Sequence, residues 1–132
     1  MVRENYGPLL RPRMLLAYSD SAHAARCVRY FRRHGWEVHM VASGAEAQRL
    51  AAELLPHVIV LDADLPDESG WLSAAKLGVA PPAQRVVILV DQIDEQLAER
   101  ARSLGIAGLV CRADSPEALA SLVLDQRRAV AV

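Results

Sequence analysis

HVIVLDADLPDESG, running from His57 to Gly70, decides the fold of this chain. Val58, Ile59, Val60 and Leu61 form a short apolar run rich in β-branched residues, the pattern of a strand buried on both faces. The run stops at Asp62, and Asp64, Leu65-Pro66, a polar segment and Gly70 then read as a loop at the strand's carboxyl end. In open parallel sheets, ligands and reactive groups collect at that end. Asp62 is therefore the first candidate site residue.

Working outward, the same alternation of short strands and helices recurs on both sides. Upstream, Met14 to Ala17 is a strand, and Ser19-Asp20-Ser21 supplies a turn and an N-cap. Ala24, Val28 and Phe31 mark the buried stripe of the helix that follows, which ends near Gly35. Glu37 to Ala42 alternates as a strand. Ser43-Gly44-Ala45-Glu46 fits a capping box for a second helix, with Leu50, Leu54 and Leu55 expected toward the core and Pro56 stopping it.

Downstream, a short helix is expected from Trp71 to about Leu77, ended by Gly78 and Pro81-Pro82. Val86 to Val90 is a strand. Asp91 or Asp94 caps the next helix, whose apolar stripe is Ile93, Leu97, Ala101 and Leu104. Ile106 to Cys111 is the last strand, and Ser115-Pro116-Glu117 opens the final helix. Strict alternation of five strands with five helices calls for an α/β fold, a doubly wound parallel sheet covered on both faces. Residues 1–12, with Gly7, Pro8 and Pro12, read as a flexible N-terminal arm, and residues 13–132 as a single domain without a linker.

Composition narrows the function classes. The 132 residues are enough to bury a core without disulfides, and Cys27 and Cys111 read as two reduced, buried thiols. A net charge of −1 and a single lysine, Lys76, leave no basic footprint for nucleic acid. No run approaches a membrane span, and charges interrupt the apolar start, so a cytoplasmic location is expected. His23, His34, His39 and His57 lack metal-ligand spacing. Asp67 and Glu68 read as a solvated loop, whereas Asp64 sits beside the candidate site. The absence of G-x-S-x-G argues against an acyl-transfer enzyme.

LDADLPDESGW, together with SxxE after the second strand, SLGIAGLV and SPEAL, resembles the receiver domains of two-component response regulators over about residues 13 to 126. The resemblance implies a flavodoxin-like (βα)₅ fold with strand order 2-1-3-4-5. It also implies that Asp62 is the phosphoacceptor, served by Mg²⁺ and a histidine kinase. In that family two acids at the end of strand 1, the acceptor aspartate and a backbone carbonyl two residues later hold the metal. Strand 4 ends in threonine or serine, and strand 5 in lysine followed by proline.

Laid on that pattern, this sequence departs at most of the supporting positions. The acid pair falls on Tyr18 and Ser19, so Asp62, the Asp64 carbonyl and Asp20 are only weak metal candidates, and any Mg²⁺ is expected to bind loosely or not at all. Val90 takes the hydroxyl position without a donor. Arg112 takes the lysine position, keeping the charge but with a rigid fork, and Ala113 replaces the proline. Leu109 replaces the switch aromatic.

Two functional readings follow. One is a working receiver phosphorylated on Asp62 by a histidine kinase. The other is a degenerate receiver, not an enzyme, that acts by phosphorylation-independent protein-protein interaction while Asp62 pairs with Arg112. The local residues favour the second, because most of the groups that stabilise phosphoryl transfer are gone. A nucleotide- or flavin-binding domain is a remote alternative, since the phosphate-binding glycine motifs are missing. Expected partners are a histidine kinase or other signalling protein and a second copy of the chain. The homodimer would use helix 4, strand 5 and helix 5, where Glu99, Arg100, Arg102, Asp125, Arg127 and Arg128 mix both signs.

Overall fold

The computed structural model describes residues 11–19, 21–79 and 85–131. In chain order the elements are β1 (Arg13–Ala17), α1 (Ser21–Arg33), β2 (Glu37–Val41), α2 (Gly44–Leu54), β3 (Val58–Asp62), α3 (Gly70–Val79), β4 (Arg85–Val90), α4 (Glu95–Leu104), β5 (Gly108–Cys111) and α5 (Pro116–Ala131). All five strands are parallel, in the order β2-β1-β3-β4-β5. This is the flavodoxin-like arrangement expected from the sequence. Residues 1–10 of the expected arm and the expected helix stop at Pro81-Pro82 lie outside the described residues.

Side chains along the inner strands alternate between two core layers, because successive residues of a strand point to opposite faces. Met14, Leu16, Val58, Val60, Val87 and Leu89 meet α1 and α5 through Ala24, Cys27, Phe31, Leu119 and Val123. Leu15, Ala17, Ile59, Leu61, Ile88 and Val90 meet Ala47, Ala51, Ala74 and Leu77 of α2 and α3 on the other face. β3 is buried at every residue. Its central place in the sheet explains the unbroken apolar run that ends at Asp62.

Several expectations need correction. Leu55 is 54 % exposed, because it is the left-handed C-cap of α2 (φ 50°, ψ 58°) and its side chain turns away; the buried side of that helix is Gly44, Ala47 and Ala51. Ile93 and Leu104 are also exposed, since Ile93 precedes the Asp94 cap and α4 buries only Ala101 fully. α3 continues through Gly78 to Val79. β5 begins at Gly108, although Ala107 already donates to the Val86 carbonyl at 2.8 Å. Cys111, on this edge strand, is only half-buried, whereas Cys27 is buried and its thiol is pushed up by that burial.

Candidate functional site

Asp62 ends β3 and is wholly buried. A carboxylate in that position is stable only if hydrogen bonds and an opposite charge replace its water, and both oxygens are supplied. Oδ1 accepts from the Asp64 backbone N–H at 2.9 Å and from Nη1 of Arg112. Oδ2 accepts from the Ser19 hydroxyl at 3.0 Å and, more distantly, from its backbone N–H at 3.4 Å. Ser19 thus presents two donors beside Asp62, where the receiver pattern has an acid.

Arg112 follows β5 and reaches across β4 to the end of β3. Its backbone N–H donates to the Val90 carbonyl at 2.8 Å, which aims the side chain over the strand ends. Nε donates to Asp91 at 2.9 Å and Nη2 to Asp64 at 3.0 Å, so one guanidinium meets three carboxylates. The Asp62–Arg112 pair expected from the sequence is therefore present. The partnerships with Asp64 and Asp91 carry no local sequence signal, since they bring together three separate loops. Of the two candidate caps for α4, Asp94 performs that role, its carboxylate accepting from the Leu97 N–H at 2.8 Å, which leaves Asp91 to Arg112.

The remaining candidates are placed as follows. Val90 is buried and gives its side chain to the second core layer. Leu109 packs against the same layer. Tyr18 is buried in the other layer with its ring stacked on His23 at 5.5 Å. Asp20 lies outside the described residues. Among the described residues, no group of three or more His, Cys, Asp or Glu side chains is arranged to hold a metal ion. The donor chemistry agrees, because the carboxylates around Asp62 converge on a fixed cation and the positions of the acid pair offer Ser19 donors and an aromatic ring. These residues do not fit Mg²⁺.

Asp67 and Glu68 are not merely solvated. The Asp67 carboxylate accepts from the Gly44 and Ala45 N–H groups at 2.8 and 2.9 Å, completing the cap of α2 that Ser43 and Glu46 begin. Those two bonds hold its pKa below the usual carboxylate range. Glu68 accepts from Lys76 and Gln48, each at 2.8 Å, and from the hydroxyl of the fully buried Ser73. Lys76 first and Ser73 second hold its carboxyl low. The β3–α3 loop is thereby tied to both helices it touches, and Asp64 with it.

The family model of the response regulator receiver domain matches residues 15–124. The chain belongs to this family. As a response regulator receiver domain it is a two-component signalling domain, in place of the remote nucleotide- or flavin-binding alternative. The transcriptional activator protein ExaE of Pseudomonas putida is 30% identical over 83 residues, covering 63% of this chain and 39% of that protein. The chain thus spans about two fifths of the length of this curated relative. The signal receiver domain of a putative LuxO repressor protein from Vibrio parahaemolyticus superposes with a TM-score of 0.82 at 25% identity, over 91% of this chain and 93% of that one. Vibrio cholerae chemotaxis protein CheY4 gives 0.82 at 17% identity, over 87% and 98%, a likeness of fold. No helix among the described residues is long and apolar enough to cross a membrane.

Proposed function

We propose that this receiver domain works without phosphorylation, as a protein-protein interaction module of a two-component pathway. The observation that carries the reading is the occupation of Asp62. Both carboxylate oxygens already accept hydrogen bonds, and one is neutralised by Arg112. To attack a phosphoryl group, Asp62 would have to give up a charge-assisted bond in a buried setting. It would also do so without the groups that stabilise the transferring oxygens. Val90 has no hydroxyl to donate, and no acid pair stands by to hold a metal.

On this reading Asp62, Arg112 and Asp64 are structural residues of a former acceptor site, Mg²⁺ is not required, and the domain is not an enzyme. Residues 13–132 form the working unit behind the arm of residues 1–12, in the cytoplasm. Its partners are a histidine kinase or another signalling protein, and a second copy is admitted at α4, β5 and α5. On that face Glu99 and Arg102 pair within α4 at 3.0 Å, and Arg100 lies over the Trp71 ring at 5.0 Å, so these charges are partly spent internally. The deciding experiment is incubation with a small acyl phosphate and Mg²⁺, followed by intact-mass measurement. No adduct is expected. A phosphoryl adduct that vanishes in Asp62→Asn would establish the alternative, a working acceptor.

A further inference from the structure

The Arg112 guanidinium sits where two neighbouring strand ends deliver three carboxylates: Asp62 from the end of β3, Asp64 from the loop after it and Asp91 just past the end of β4. Each carboxylate meets a different nitrogen, Nη1, Nη2 and Nε respectively. Asp62 is fully buried and the Arg112 side chain is 19 % exposed, while the Asp64 and Asp91 side chains are 79 and 81 % exposed. The contact therefore has a dry inner half and a wet rim. Screening weakens the rim pairs far more than the inner one.

Three carboxylates against one guanidinium leave the cluster with excess negative charge, a surrounding that would ordinarily attract a divalent cation. Two features oppose one here. The Asp62 oxygens point at N–H and O–H donors on every described side, and a permanent positive charge occupies the space between the acids. We infer that Arg112 is a built-in cation. It performs the mechanical task of a bound divalent ion, holding the ends of β3, β4 and β5 at one separation, and by occupying that place it excludes the ion.

This inference deepens the phosphorylation-independent reading and rests on it for biological meaning, but it is tested separately through metal dependence. The structural prediction is an inversion of cation response between the native chain and a variant lacking the guanidinium. Thermal melts and calorimetric titrations with MgCl₂ and MnCl₂, against NaCl at matched ionic strength, read it directly. The native protein should show no saturable stabilisation at low millimolar divalent ion. Arg112→Met should melt at a lower temperature without metal and recover part of the loss with Mn²⁺ or Mg²⁺ but not NaCl. Adding Asp62→Asn should abolish that recovery.

If Arg112→Met is unfolded without metal, regain of its circular dichroism on adding Mn²⁺ supports the inference and failure to regain it overturns it. A folded Arg112→Met with the native melting temperature and no divalent response also overturns it, as does saturable stabilisation of the native chain. Arg112→Lys, which keeps the charge but not the fork, should remain insensitive to divalent ions. A mass adduct on the native chain together with an unchanged metal response would defeat the functional reading and leave the built-in cation standing.

Discussion

The Asp67 carboxylate holds the N-terminus of α2 from twenty-odd residues away, its two oxygens accepting from Gly44 and Ala45 at 2.8 and 2.9 Å. Because these bonds require the ionised form, they lower the Asp67 pKa. Linkage then gives the sign. The contribution to stability is fully present above the unfolded aspartate pKa and is lost as pH falls through the lower, folded value. Melting temperature followed from neutral pH into acid should fall less steeply in Asp67→Asn than in the native chain, with the variant already less stable at neutral pH. Parallel curves would show that the bonds contribute nothing in solution.

Gly70 opens α3 with its backbone N–H donating to the Ala63 carbonyl at 2.8 Å. A β-carbon added there would overlap the Asp62 carbonyl oxygen and press on Ala63 Cα at 3.0 Å. Since the obstacle is backbone, no side chain can move to make room. Gly70→Ala should cost about 2 kcal/mol in urea unfolding and displace the end of β3, visible as altered amide resonances at Asp62 and Asp64. A loss below a few tenths of that figure would mean the loop adjusts.

Ser73 is buried; its hydroxyl donates to Glu68 and accepts from Gln48 Nε2 at 3.5 Å, while Lys76 donates to the same Glu68 carboxylate at 2.8 Å. Ser73→Ala removes one bond to a charged group and should destabilise by about 1.5 kcal/mol. The same hydroxyl is the nearest atom to a β-carbon built on Gly44, with Glu68 Cγ next at 3.0 Å. Gly44→Ala should therefore cost less in the Ser73→Ala background than alone, a coupling readable from a double-mutant cycle. Strict additivity would refute the shared contact.

Leu55 is the single non-glycine residue with positive φ among the described residues, and it is exposed. Its N–H nevertheless closes α2 by donating to the Ala51 carbonyl at 3.1 Å. Leu55→Gly relieves the left-handed strain of a β-carbon while losing little packing. The substitution should raise stability by about 1 kcal/mol, a shift of a few degrees in the melt. A lower melting temperature would show that the exposed leucine packs more than its surface suggests.

The elements were legible in the sequence because their signals are local. The β-branched run ending at Asp62, the Ser43 cap and Ser115-Pro116-Glu117 each act over one or two helical turns or a few strand residues, where periodicity and capping chemistry dominate. Leu55 misled for the same reason: periodicity continues through a sequence even where the backbone has turned into a left-handed cap. Leu104 shows the same limit at the end of α4, where regular spacing extends past the buried surface.

The site divides along that line. Asp62 at a strand end, Arg112 after β5 and Val90 without a hydroxyl can be read from residue types in a known pattern, and so can the Asp62–Arg112 pair. That the same guanidinium also gathers Asp64 and Asp91, that Ser19 turns two donors onto Asp62, and that Asp67 caps a helix preceding it were decided by the tertiary structure alone. Each of these contacts joins groups from different loops, and its partners are chosen by the parallel register and by loop geometry. Sequence by itself determined which strand ends carry charge; the fold determined which of those charges meet.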